Sequence, residues 1–422
     1  RPGDWSSDVC SSDLEDIMKK FNKFLSVAVA SAMVMAMVGC GNTDNGSAAT
    51  GTNAATESAA ASDSAASGSV FKIGGIGPTT GGAAVYGLAV QHGAEIAVEE
   101  INAAGGINGY QVEFKFQDDE ADAEKSVNAY NALKDWGAQI IDGSTTSGAC
   151  IAVTDKTKED NMFQITPSGS AVECVQYDNN FRVCFSNPNQ GLASAQYIGE
   201  NGLAEKIAVI YDSSDVYSSG IYEKFAKEAE NQPFEIVAAE AFTADNKTDF
   251  SVQLQKAKDA GADMVFLPIY YQESALILTQ AAAMGYAPKW FSCDGMDGIL
   301  GGVDNFDVSL TEGVMLLTPF AADATDDLTQ SFVTKYKEKY GETPNQFAAD
   351  SYDAIYVIKA AIEKSGVTPD MSVSDICDGM KAAMTEITVD GLTGNGMTWT
   401  ADGEANKAPK AVVIENGAYK AM

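Results

Sequence analysis

From Val70 onward, short β-branched runs alternate with amphipathic helical patterns, and this alternation restricts the chain to parallel sheets built from βαβ units. The first predicted strand is Val70-Phe71-Lys72-Ile73-Gly74-Gly75-Ile76. A Gly- and Thr-rich loop follows, then a helix over about 87–103 with Leu88, Ala94, Ile96, Ala97 and Ile101 on its apolar side. Gly105-Gly106 stops it. Strand 111–117, helix 122–136, strand 139–142, helix 148–159 and strand 162–166 complete one doubly wound unit. A second unit begins near Pro188. Helices at 191–199, 219–230, 250–260 and 274–284 alternate there with strands at 206–211, 234–241, 264–267 and 289–292, and another strand falls at 313–317. Three more helical patterns follow at 328–340, 347–365 and 374–385. The tail, 396–419, reads as β-structure with a turn at Glu415-Asn416-Gly417. The expected fold class is α/β: two doubly wound parallel-sheet lobes with a cleft between them. Open sheets of this kind bind ligands at the carboxyl ends of their strands.

Several classes are excluded by composition. Acidic residues number 59 against 27 basic ones, for a formal net charge of −32. Such a field repels phosphate backbones, so no nucleic-acid partner is expected. Hydrophobic residues make up 45% of the chain, enough for a sizeable core.

The N-terminal region reads as an export signal. Met18-Lys19-Lys20-Phe21-Asn22-Lys23 is a basic n-region, and residues 24–38 are an uncharged apolar run too short to span a bilayer comfortably. The run ends in Met37-Val38-Gly39-Cys40, which resembles the bacterial lipobox, with Met37 and Val38 in place of its usual residues. Residues 18–39 are therefore expected to be a lipoprotein signal peptide and Cys40 its lipidation site. Residues 40–69, rich in Ala, Ser, Thr, Gly, Asn and Asp, cannot bury enough surface to fold and read as a tether. Residues 1–17 precede the start at Met18, and Cys10-Ser11-Ser12-Asp13-Leu14 back-translates to a sequencing-adapter stretch, so they are expected to be an assembly artefact. The expected location is exported and lipid-anchored at the outer face of the cell membrane, with the lipid as its only membrane contact.

In the globule, Cys150, Cys174, Cys184, Cys293 and Cys377 contain no CxxC, and His92 is the single histidine, so no metal or redox site is expected. Cys174 and Cys184 flank a turn-rich stretch and either pair outside the cell or remain buried thiols.

The strand ends carry the chemistry. After the first strand, residues 77–87 lack G-x-G-x-x-G spacing, which argues against a dinucleotide site, and Tyr86 sits at a helix start where its ring can face the cleft. Gly143-Ser144-Thr145-Thr146-Ser147-Gly148 opens directly into a helix, and hydroxyls with free N–H groups at a helix N-terminus form an anion site. A second hydroxyl cluster, Thr166-Pro167-Ser168-Gly169-Ser170, ends the next strand. The second unit offers Tyr217, Tyr270 and the lone carboxylate Asp294, the kind of group that faces a ligand ammonium. The serines lack a nearby base and G-x-S-x-G is absent, so no nucleophile, nucleotide loop or cofactor site is expected and the chain does not read as an enzyme.

Taken in this order, these clusters resemble the branched-chain amino-acid-binding family of ABC-transporter receptors, with the type I periplasmic-binding-protein fold. The resemblance runs from about Phe71 to the C-terminus. Its most specific stretches are Ile73-Gly74 with Gly77, Gly93-Ala94-Glu95-Ile96-Ala97, Ile101 to Gly109, Ile165-Thr166-Pro167 and Phe181 to Phe185. The resemblance implies that Ser147 carries the ligand carboxylate, with Thr145 and Thr146 as adjacent hydroxyls. Ser168 and Ser170 supply hydroxyl or backbone groups, Asp294 pairs with the α-ammonium, and Tyr86, Tyr217 and Tyr270 wall the side chain. It further implies three hinge crossings, near Asn187-Pro188, Pro319 and Gly391. Lobe 1 is then 70–187 with 319–391, and lobe 2 is 188–318 with 392–422. The implied protein is a monomeric extracytoplasmic receptor that delivers a small amino acid, branched-chain or similar, to an ABC permease. A disulfide of some family members has no counterpart after Gln117, where Asp118-Asp119-Glu120 stands. A ligand sensor of the same fold, or a receptor for an amide or urea-type solute, shares this signature.

Overall fold

The computed structural model describes residues 68–422. The expected signal peptide, Cys40 and nearly all of the tether lie outside the described residues, as do residues 1–17. Five strands build the first sheet: β1 (Phe71–Gly77), β2 (Val112–Asp118), β3 (Ile140–Asp142), β4 (Phe163–Thr166) and β5 (Asn180–Arg182). They lie in the order β2-β1-β3-β4-β5, and every pairing is parallel. Helices α1 (Ala84–Ala103), α2 (Ala123–Trp136) and α3 (Ser147–Asp160) make the crossovers. β5 has no sequence signal because its three residues, Asn180-Phe181-Arg182, hold no apolar run, whereas the equally short β3 carries Ile140-Ile141.

The chain leaves this sheet through 183–186 and enters α4 (Asn187–Glu200). That helix starts earlier than the expected 191. Pro188 falls in its first turn, where a missing N–H costs no helical hydrogen bond. There follow β6 (Lys206–Asp212), α5 (Val216–Ala229), β7 (Glu235–Phe242), α6 (Ser251–Asp259), β8 (Met264–Leu267), α7 (Tyr271–Ala283), β9 (Lys289–Ser292) and β10 (Met315–Thr318). Three helices then return to the first lobe: α8 (Asp327–Tyr340), α9 (Gln346–Ser365) and α10 (Val373–Met384). α9 packs along α1, and α10 packs on α9 and β4. Gly93 permits the first of these contacts, since a Cβ there would sit 2.0 Å from the Ala348 carbonyl oxygen.

The tail adds β11 (Lys410–Glu415) and β12 (Ala418–Ala421) to the second sheet, whose order is β12-β11-β10-β9-β8-β6-β7. β11 and β12 pair antiparallel, while β6 to β10 pair in parallel. Asn416 and Gly417, with φ of 53° and 73°, form the tight turn between them. Met397 and Trp399, expected in a strand, make only single bridges, to Val389 and Ala405. The Trp399 indole instead donates to the Arg182 carbonyl at 2.8 Å, tying the returning chain to the end of β5.

Cys174 and Cys184 do not form the disulfide that their flanking positions left open; both are buried free thiols. The Cys174 thiol lies against Cys150 and Ala171 and donates to the Ser147 carbonyl at 3.6 Å. Cys184 feels the charges of Arg182, Asp350 and Asp294. The two therefore occupy different packing environments, and burial pushes both thiols well up from their ordinary pKa. Among the described residues no cluster of three His, Cys, Asp or Glu side chains could hold a metal, and no helix is long and apolar enough to cross a membrane.

Candidate ligand-binding site

Loops at the carboxyl ends of the strands meet in one small cavity of about 10 Å³. The first lobe contributes Tyr86 from the first turn of α1, Thr145, Thr146 and Ser147 from the β3–α3 junction, and Ser168 from the loop after β4. The second contributes Tyr217 at the start of α5, Tyr270 at the N-cap of α7, and Asp294 with Gly295 just after β9. Phe347, from the first turn of α9, completes the wall.

The α3 N-terminus is arranged to donate. Ser147 Oγ accepts the backbone N–H groups of Ser170 and Ala171, each at 3.2 Å, which leaves the hydroxyl proton free to point elsewhere. Thr146 occupies the N-cap but makes no capping bond, and its buried hydroxyl has no hydrogen-bond partner within the protein. Ser168 Oγ donates to the Thr145 carbonyl at 2.6 Å and so joins the two loops. With the positive end of the helix dipole behind them, these groups suit a carboxylate. Ser170 stands outside the cavity lining. Its hydroxyl donates to Asn187 Oδ1 at 2.6 Å, and its contribution is the N–H on Ser147.

Arg182, fully buried, explains that geometry. Its guanidinium donates to the carbonyls of Gly169 at 3.2 Å, Ser170 at 2.6 Å and Ala171 at 2.8 Å. Holding three consecutive carbonyls on one side turns the Ser170 and Ala171 N–H groups toward Ser147. The only hint of this role in the sequence is a charged residue inside the apolar run 181–185.

Asp294 is 5% exposed. Its Oδ1 accepts the Tyr217 hydroxyl at 2.6 Å and its Oδ2 accepts Gln190 Nε2 at 2.9 Å. Burial, with a smaller push from the Asp350 charge, raises its pKa to about 7 despite both bonds. Aromatic rings fill most of the remaining space. Tyr217 stacks on Tyr270 at 4.9 Å, Tyr86 meets Tyr270 edge-on at 5.6 Å, and Phe347 lies 4.4 Å from Tyr86. Tyr86 also bridges the lobes, donating its hydroxyl to the Gly295 carbonyl and accepting the Tyr271 N–H at 3.2 Å.

Sequence reasoning did not single out Phe347, and it named Thr146 only as a hydroxyl adjacent to Ser147. Phe347 sits in an amphipathic helix, where an aromatic residue reads as core. Thr146 stands beside Ser147 in a loop whose register only the fold resolves.

The family model described as periplasmic binding protein matches residues 70–418. The chain belongs to the periplasmic binding protein family. As a periplasmic binding protein it is similar to Leu/Ile/Val-binding protein homolog 3 of Brucella melitensis, at 30% identity over 71% of this chain and 80% of that one. Among solved structures it is similar to the branched-chain amino acid transporter substrate binding protein LivJ from Streptococcus pneumoniae in complex with isoleucine, at TM-score 0.75 and 28% identity over 83% of this chain and 98% of that one. It is also similar to a leucine binding protein LivK from Thermotoga maritima, at TM-score 0.74 and 27% identity over 84% of this chain and 98% of that one. Periplasmic binding proteins of this kind are extracytoplasmic solute-binding receptors of ABC transporters and not enzymes.

Proposed function

We propose that this receptor captures a small aliphatic α-amino acid, branched-chain or similar, and delivers it to an ABC permease. The observation that carries the reading is that donor groups at the α3 N-terminus and the acceptor Asp294 line the same cavity. A zwitterion entering a closing cleft loses water at both charged ends, and each end then needs an opposite partner. The carboxylate meets the Thr146 and Ser147 hydroxyls, with Ser168 lining the same cavity and fixing the Thr145 carbonyl beside them, the ammonium meets Asp294, and the side chain packs against Tyr86, Tyr217, Tyr270 and Phe347. Ser170 acts through its backbone. The Leu/Ile/Val-binding names of the relatives support the same ligand class.

The moving bodies in this reading are lobe 1, residues 70–187 with 319–407, and lobe 2, residues 188–318 with 408–422. The third crossing follows Lys407 rather than Gly391, because Trp399 bonds to Arg182 and Lys407 pairs with Asp350. They close about three crossings by a hinge motion. The receptor works as a monomer, held at the outer face of the membrane by lipid on Cys40; Cys40→Ser should abolish labelling by fatty acid.

Calorimetry with leucine, isoleucine and valine, after unfolding and refolding to strip carried-over ligand, tests the ligand class. Micromolar or tighter binding of at least one is expected. Binding of aliphatic amides with no response to any of the amino acids would overturn the reading.

A further inference from the structure

We propose that Asp297 is a positioning residue for ligand capture, coupling the ammonium site to the aromatic wall. The inference rests on the amino-acid reading of the cleft. Asp297 is buried and does not line the cavity. It ends the short turn that begins at Asp294, and its N–H donates to the Asp294 carbonyl at 2.8 Å. Its carboxylate reaches into the other lobe, where Oδ2 accepts the N–H of Gln346, the first residue of α9, at 2.9 Å. The N-cap Asn345 serves the Ala348 N–H at 3.3 Å, so Asp297 satisfies a donor that the helix's own cap leaves over. A negative charge at this position also complements the helix dipole.

The next residue of α9 is Phe347, whose ring forms the cavity wall against Tyr86. The 294–297 turn is held from the cleft side as well. Tyr217 Oη accepts the Gly295 N–H at 2.8 Å while donating to Asp294, and Tyr86 donates to the Gly295 carbonyl. One four-residue segment thus joins the ammonium acceptor, both cleft tyrosines and the start of α9. Any displacement of Asp294 toward a ligand ammonium is passed through Asp297 to Gln346 and so to Phe347. Asp297 thereby sets how closely the wall fits a branched side chain, while Asp294 sets the charge.

The test compares Asp297→Ala, Asp297→Asn and Asp294→Asn with wild type, by calorimetry with leucine and alanine and by amide hydrogen exchange without ligand. Asp297→Ala should weaken leucine binding about tenfold and alanine binding less, and should speed exchange at Gln346 and Phe347 by about tenfold or more. Asp297→Asn keeps an acceptor for the Gln346 N–H and should restore most of both. Asp294→Asn should weaken both amino acids alike and leave the leucine-to-alanine ratio within about twofold. An unchanged ratio in Asp297→Ala, or unchanged Gln346 exchange, overturns the proposal. Should Asp297→Ala not fold, Asp297→Ser, too short to reach Gln346, takes its place. If wild type binds neither amino acid, the ligand reading fails instead, and the exchange measurement alone decides the role of Asp297.

Discussion

Tyr217 gives its phenolic hydrogen to Asp294 Oδ1 at 2.6 Å and accepts the Gly295 N–H at 2.8 Å with the same oxygen. The carboxylate is thereby fixed in direction before any ligand arrives, and a fixed acceptor spends less free energy on ordering when it binds. Gln190 holds the other oxygen at 2.9 Å. Two neutral donors, however, do not neutralise a buried charge, and a cation would.

Replacing Asp294 by Asn should therefore weaken amino-acid binding strongly. Removing one member of a desolvated charge pair costs about 2–5 kcal/mol, roughly one and a half to three and a half powers of ten in affinity. Titration calorimetry on the two proteins measures it directly. Binding within about threefold of wild type would reduce Asp294 to a turn residue.

The pH dependence has two opposite parts. With the Asp294 pKa near 7 in the free protein, a proton competes with the ligand ammonium below that pH. Affinity should fall by up to about tenfold per unit as the pH drops from 7 to 5, and the fall should vanish in Asp294→Asn. Asp350, pushed by burial to about 6, lies near enough to contribute to the same limb. For folding of the free protein the sign reverses. The folded carboxyl titrates above its ordinary 3.8, so its stabilising contribution is complete below that value and is lost as pH rises toward 7. The penalty at pH 8 is bounded by about 4 kcal/mol at 1.36 per unit. Without ligand, Asp294→Asn should melt above wild type at pH 8 and show a smaller difference at pH 5.

Ser147 and Thr146 should separate by stability. Ser147→Ala leaves the Ser170 and Ala171 N–H groups without their acceptor, at about 1–3 kcal/mol, and removes a donor to the ligand. Both melting temperature and affinity should drop. Thr146 has no protein partner to lose, so Thr146→Val should lower affinity by about tenfold and leave the melting temperature of the free protein unchanged. Equal losses of stability in the two variants would contradict this division.

Arg182→Met should destabilise the protein by about 3–5 kcal/mol, because three buried carbonyls lose a charged donor at once. Ligand binding should weaken too, through the displaced Ser170–Ala171 segment. Urea unfolding followed at two probes measures the first effect and calorimetry the second. Lysine cannot span three carbonyls with one ammonium, so Arg182→Lys should recover only part of either.

The alternation of apolar runs from Phe71 to Ile414 suffices to define two parallel-sheet lobes, because side-chain periodicity reports which face of each element is buried. The loops at the strand ends are legible for the same reason: once the strands are assigned, Tyr86, Ser147, Ser168, Tyr217, Tyr270 and Asp294 fall at their carboxyl ends, and the structure brings all six to one cavity. What no local pattern contains is which side chains turn into that cavity. Phe347 arrives there only because α9 returns to pack on α1 through the close contact at Gly93, far away in sequence. Ser170 turns away because Arg182 gathers the carbonyls beside it, and Cys174 and Cys184, ten positions apart, settle into different environments. Periodicity is a property of neighbours along the chain and is set by backbone geometry. The direction of a loop side chain is set by long-range contacts that exist only after the lobes have packed.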